Sequence, residues 1–219
     1  MIFLLIGPPG SGKGTQGRIL SEKMQLPFFS SGDFLRELAG KEDSFSRQIR
    51  LFMDRGELIP DTLMKELFLL EIKKLIVTHG GIIIDGYPRT LDQAKDLESL
   101  LLSLNISDSN IYVIELIVEV NELYKRLNER AFCPSCLRVF QFHENICNTC
   151  GTQLNRRTDD TMQVIEERLR EYELKSRSLH EYFSNRGFLM TIPGEGSIQD
   201  IASTIDQAIK EKKVGINKK

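Results

Sequence analysis

Long apolar runs are missing from this chain of 219 residues. None approaches the ~20 residues a helix needs to cross a bilayer. The first run, Ile2–Ile6, has no basic stretch before it and no small-residue cleavage site after it, so it does not read as a signal peptide. An excess of one charge is missing too. Lys and Arg number 29 against 31 Asp and Glu, a net charge of −2; nothing favours non-specific binding to nucleic acid or a membrane surface. Histidine is scarce: His79, His143 and His180 have no obvious nucleophile partner, which leaves no competing story of histidine-based catalysis. Cysteine is absent outside Cys133–Cys150. Internal repeats and low-complexity tracts are absent as well. The expectation is a cytoplasmic protein with one well-buried α/β domain carrying a small insertion.

Apolar runs alternate with helical patterns along the chain. Ile2–Ile6 and Gly81–Asp85 read as buried parallel strands, with further strands near Pro27–Ser30, Ile111–Leu116 and Leu189–Ile192. Helices are expected over Lys13–Met24, Asp33–Ala39, Ser46–Arg55, Asp61–Thr78, Leu91–Leu102, Asn121–Arg130, Thr161–Phe183 and Ile198–Lys210. The Lys-rich end, Lys210–Lys219, reads as a frayed, solvated tail. Strands separated by helices predict a parallel sheet covered on both faces. Two stretches interrupt that rhythm: an all-helical one near 31–60 and the cysteine-bearing one near 131–160.

Gly7-Pro8-Pro9-Gly10-Ser11-Gly12-Lys13-Gly14-Thr15 follows the first strand and opens a helix. Gly7, Gly12 and Lys13 fit the G-x-x-x-x-G-K loop that wraps phosphates. Its glycines let successive N–H groups point at one anion, and the helix N-terminus adds partial positive charge. The residue after Lys13 is Gly14, so the hydroxyl comes one step late, at Thr15. Either Thr15 contacts Mg²⁺ or the metal is held mostly through water and phosphate. Asp85 ends a strand, the usual place for an acidic partner of a nucleotide-bound metal.

Arginines stand where elements end: Arg36, Arg89, Arg130, Arg156, Arg157 and Arg168. Each alone reads as a solvated surface charge; beside a phosphate loop they read as clamps on phosphoryl groups. Cys133-x-x-Cys136 and Cys147-x-x-Cys150 are separated by ten residues. Two such knuckles fit a closed structural Zn²⁺ site. An apo or oxidised set, or iron, is the alternative. A zinc ribbon on a nucleotide switch would bind nucleic acid, but only Arg138 among Lys and Arg lies between the knuckles.

With these motifs in place the sequence resembles a bacterial-type adenylate kinase with a zinc-bearing lid. The resemblance rests on Gly7–Thr15, Ser31-Gly32-Asp33 with Arg36, Asp85–Thr90 with Gln93, and Arg157-Thr158-Asp159-Asp160 with Arg168. It implies a doubly wound parallel-sheet P-loop core with a helical monophosphate-binding insertion and a small zinc-binding lid insertion. The core would be 1–30, 61–130 and 159–219, the first insertion 31–60 and the lid 131–158. It implies MgATP + AMP ⇌ 2 ADP, with Mg²⁺ and a structural Zn²⁺. The partners would be ATP, AMP and ADP, without nucleic acid or membrane, for a monomer. By the same resemblance ATP would be held by Gly10, Ser11, Gly12, Lys13, Gly14, Thr15, Arg130, Val139, Phe140 and Gly196. AMP would be held by Ser31, Arg36, the backbone around Glu57, Leu58 and Ile59, and Gly86, Tyr87, Pro88, Arg89, Gln93, Arg157 and Arg168. Lys13, Arg89, Arg130, Arg157 and Arg168 would be catalytic, Asp85 would face Mg²⁺ through water, and Asp159 and Asp160 would be a hinge pair. Thr90 with Gln93 resembles an adenine-selecting pattern; the rival within the class is a UMP or CMP kinase. Three departures stand out: Ser31 in place of the usual Thr, Ala131 in place of a second Arg, and a shortened lid.

Overall fold

In a computed structural model the described residues are 1–141, 144–157 and 160–216, excluding the side chains of residues 64, 141, 176, 177, 215 and 216. Strand β1 (Ile2–Ile6) lies at the centre of a five-stranded parallel sheet, with β3 (Ile82–Asp85) on one side and β4 (Ile111–Ile117) on the other. β2 (Phe28–Ser30) pairs with β3 and β7 (Leu189–Pro193) with β4, giving the order β2-β3-β1-β4-β7. Period-two geometry sends Ile2, Leu4 and Ile6 to one face and Phe3 and Leu5 to the other, all buried. That is why β1 reads as an unbroken apolar run.

One face is covered by α1 (Lys13–Met24) and α8 (Ile198–Ile216), through Leu20, Ile201, Ile205 and Ile209. The other face gathers side chains of α2 (Ser31–Ala39), α3 (Ser44–Arg55), α4 (Asp61–His79), α5 (Leu91–Ser103) and α7 (Met162–Asn185). Between β4 and α7 come α6 (Val120–Asn128) and a small antiparallel pair, β5 (Arg130–Phe132) with β6 (Val139–Gln141). No helix among the described residues is long and apolar enough to cross a membrane.

Three local expectations need correction. The helix expected from Asp33 starts at Ser31, because the Ser30 hydroxyl accepts the Asp33 N–H at 3.3 Å and caps two residues earlier. The helix expected to reach Arg130 stops at Asn128, and Arg130 instead pairs with Gln141 in the small sheet. The tail expected to fray from Lys210 stays helical to Ile216. Lys212 holds it there: Nζ donates to the Ile111 and Phe188 carbonyls at 2.9 and 3.1 Å and sits over the rings of Tyr112 and Phe188.

Candidate active site

The sheet's strand order reverses at β1, and ligand crevices in open α/β sheets form beyond the carboxyl ends at such a point. The loop after β1 lies there. Gly7, Gly10 and Gly12 take φ of 140°, 84° and 95°, a region costly for residues with a Cβ. A Cβ on Gly10 would also stand 2.9 Å from Leu127 Cγ. Gly12 then precedes the first turn of α1. Lys13 curls back over its own loop, donating to the Gly7 and Pro8 carbonyls at 2.8 Å each. Burial pushes its pKa down to about 8, with Arg89, Arg168 and Arg130 adding repulsion against the attraction of Asp85.

Asp85, at the end of β3, is beside Ser30 and Leu5 in register. A Cβ on Gly14 would lie 3.4 Å from Asp85 Oδ2, so strand end and helix start meet closely. Burial raises the Asp85 pKa, opposed by Lys13 and Arg89. Arg89 Nε donates to the Gly86 carbonyl at 2.7 Å and the Ser31 hydroxyl donates to the same oxygen at 2.8 Å. Burial and neighbouring cations push the Arg89 pKa down to about 10.

Two carboxylates gather arginines from distant parts of the chain. Asp33 receives Arg36 at 2.6 Å, Arg18 at 2.8 Å and Arg157 at 3.9 Å. Asp160 takes both Nε and NH2 of Arg130 and lies 3.6 Å from Arg168. It is nearly buried, at 4 % side-chain exposure. Arg157 also stacks over Phe132, 5.6 Å from the ring centre. Asp159 lies outside the described residues.

These groups surround one cavity of about 950 Å³. Of the residues named from the sequence, its wall includes Gly10, Gly12, Lys13, Gly14, Thr15, Ser31, Arg36, Leu58, Asp85, Gly86, Pro88, Arg89, Arg130, Val139, Phe140, Arg157, Arg168 and Gly196. The Tyr87 and Ile59 side chains point into the core, and Tyr87 packs edge-on against Phe68. Ser11 is buried within the loop. Glu57 is exposed beside the cavity wall, and Gln93, half-buried, meets the wall where its Oε1 accepts the Arg89 N–H. Val139 and Phe140, from the strand between the two cysteine pairs, reach the wall.

Sequence reasoning missed Arg126 and Arg18 and did not assign Arg138 to the site; all three share the wall. Arg126 donates to Glu122 at 2.7 Å and to the Gly194 carbonyl at 2.8 Å. Its signal was available: a Glu–Arg pair at i,i+4 on a helix just ahead of Arg130. Of the histidines, His180 Nδ1 lies 2.9 Å from Glu115 Oε2, and His143 lies outside the described residues.

Beside the cavity, the four cysteine sulfurs lie within 4.8 Å of one another. Cys133–Cys150 and Cys136–Cys147 are 3.4 and 3.6 Å apart, too long for disulfide bonds. Four thiolates at ~2.3 Å from a tetrahedral Zn²⁺ would be roughly 3.8 Å apart, so the donor set fits that ion. The Cys136 N–H points at Cys133 Sγ at 3.4 Å, as a tight C-x₂-C turn requires. For Mg²⁺, the half-buried carboxylate of Asp85 among cations and Thr15 on the cavity wall fit a nucleotide-bound ion.

A family profile described as "Adenylate kinase" matches residues 5–188. The chain is 36% identical over 213 residues to an adenylate kinase of Chlamydia felis, covering 96% of this chain and 98% of that one. An adenylate kinase of Methanocella arvoryzae is 35% identical over 217 residues, covering 96% and 99%. One from Petrotoga mobilis is 33% identical over 211 residues, covering 94% and 95%.

Proposed function

The chain belongs to the adenylate kinase family, and from that premise we propose the reaction and the roles of its residues. The reaction is reversible transfer of the terminal phosphoryl group of MgATP to AMP, giving two ADP. The observation that carries the residue roles is the gathering of Lys13, Arg89, Arg130, Arg157 and Arg168 around one cavity. A phosphate oxygen of AMP attacks the γ-phosphorus in line, the new O–P bond forms, and the bond to the β-phosphate oxygen breaks. No general base is needed, because the attacking oxygen is already anionic. Catalysis then rests on positioning and on spreading negative charge over fixed cations.

The loop Gly10–Thr15 holds the triphosphate. Ser31, Arg36, Leu58 and Gly86–Arg89 hold the monophosphate nucleotide, and Gln93 faces its base. Asp85, through water, and Thr15 would hold the magnesium that arrives with ATP, whose charge supplies further neutralisation of the phosphate oxygens. Residues 131–158 act as a lid and 31–60 as the acceptor-binding insertion, both hinged on the core. The lid excludes water from the transferring group. The cysteines hold zinc and give this coreless segment its fold. The same reading takes the protein as a cytoplasmic monomer.

The test is ADP formation from ATP with AMP, UMP, CMP and GMP offered separately, with Arg89→Ala as control. AMP alone should turn over, and the control should lose about 10³-fold or more. Turnover with UMP or CMP would refute the acceptor assignment, and none with any acceptor would refute the kinase reading.

A further inference from the structure

Asp61 opens α4, half-buried beside the start of α5. Its two oxygens have different partners. Thr90 Oγ1 donates to Oδ2 at 2.9 Å, and Gln93 Nε2 donates to Oδ1. Gln93 Oε1 in turn accepts the backbone N–H of Arg89 at 2.7 Å. Thr90 Oγ1 also accepts the Gln93 N–H at 3.2 Å, capping α5. The Gln93 amide is thus held at both ends by groups that cannot exchange roles, since a carboxylate only accepts and a backbone N–H only donates. Turning the amide over would set Oε1 against Asp61 and Nε2 against the Arg89 N–H, two repulsive contacts in place of two hydrogen bonds.

That restraint matters for reading a purine. A loosely held glutamine can turn its amide over and so match either of two opposite edges. Adenine offers a donor amine beside an acceptor ring nitrogen. Hypoxanthine has the same outline but offers an acceptor oxygen beside a donor ring N–H. Gln93 keeps one spare hydrogen on Nε2 and one spare lone pair on Oε1, enough to meet one edge in one orientation. We infer that Asp61 is a positioning residue for acceptor choice: it locks the Gln93 amide in one orientation, so that a 6-amino purine is read and a 6-oxo purine is rejected. The inference rests on the reading of AMP as acceptor with Gln93 at its base. Asp61 itself acts only through Gln93.

The test compares kcat/KM for AMP and IMP in the wild type, Asp61→Asn, Gln93→Ala and the double variant, with melting temperatures alongside. The side-chain amide in Asp61→Asn can donate as well as accept, which removes one of the two contacts opposing the flip. The AMP:IMP ratio should fall about tenfold in Asp61→Asn. It should fall in Gln93→Ala as well, with no further change when Asp61→Asn is added, as expected of residues acting as one unit. Asp61→Ser, which can also donate and suits a helix start, serves if the Asn variant is poorly folded, with the same expected fall. An AMP-active wild type whose ratio is unchanged in both Asp61 variants, with both acceptors slowed in parallel, overturns the inference alone. So does an equal effect of Asp61→Asn with and without Gln93. A wild type inactive on AMP overturns the acceptor reading and the inference together.

Discussion

If Lys13 meets the triphosphate, nucleotide binding should take up a proton in a defined pH range. Burial holds the Lys13 pKa near about 8, against an ordinary value of 10.5. At pH 8.5 roughly a quarter of the free protein then carries the ammonium form. Polyphosphate beside Nζ favours that form strongly and restores an ordinary or higher pKa. Binding at pH 8.5 should therefore take up roughly 0.7 proton, and at pH 7.0 only about 0.1. Calorimetric titration with MgATP and no acceptor, in two non-phosphate buffers of different ionisation enthalpy, reads the number directly. The sign for stability follows from the same shift. Between pH 8 and 10.5 the unfolded chain holds the Lys13 proton and the folded chain does not, so this group makes the ligand-free protein more stable as pH rises through that window. Heats of binding at pH 8.5 that do not depend on the buffer would refute the reasoning.

Two further outcomes follow from reading residues 131–158 as a zinc-held lid. Its buried side chains include Ala131, Cys133 and Cys147, too little apolar surface to hold a fold, whereas a four-thiolate Zn²⁺ contributes about 10–16 kcal/mol. Removing the metal with a chelator should expose residues 131–158 to protease and abolish turnover while the parallel sheet keeps its circular-dichroism signal; a protease-resistant metal-free lid would contradict this. Arg138, between the knuckles, donates to Glu22 of α1 at 2.6 Å across the cavity mouth. Both are exposed, so Glu22→Gln should shift the closed population by less than about 1 kcal/mol. The shift should vanish at high salt, as read by energy transfer between dyes on lid and core.

The parts that were legible in the sequence are those with local signatures. Apolar runs marked the buried strands, and glycines at fixed offsets marked the phosphate loop. Paired C-x₂-C spacing marked a set of sulfurs that the fold does bring within 4.8 Å. Element ends were less legible because they depend on which of two neighbours wins a hydrogen bond, as when Ser30 caps α2 ahead of Ser31. Arg130 reads as a helix end in sequence, yet its backbone partner is Gln141, and nothing local announces that pairing. The same holds for Asp61, whose partners Thr90 and Gln93 come from another helix start. Lys212 looks like part of a solvated lysine run; only the tertiary fold reveals two carbonyls and two rings waiting for it.

The carboxylates Asp33 and Asp160 bear on how such a cavity can open and close. The guanidiniums of Arg36, Arg130, Arg157 and Arg168, assigned above to phosphates, each also have an acidic neighbour on the protein. Arg157 reaches from beyond the cysteine segment to Asp33 on α2, so one ion pair within the chain already joins the two stretches proposed as insertions. A closed arrangement is therefore accessible through the protein's own charges. Nucleotide need supply only the difference between a phosphate and a carboxylate as partner for the same fork, and a ligand shifts a conformational equilibrium only by its differential affinity for the two states. On the proposed roles, phosphate, with more charge and more acceptor oxygens, would win that exchange. On the same reading, the carboxylates would be at hand to take the arginines back once transfer is complete, which would lower the cost of letting the two ADP molecules go.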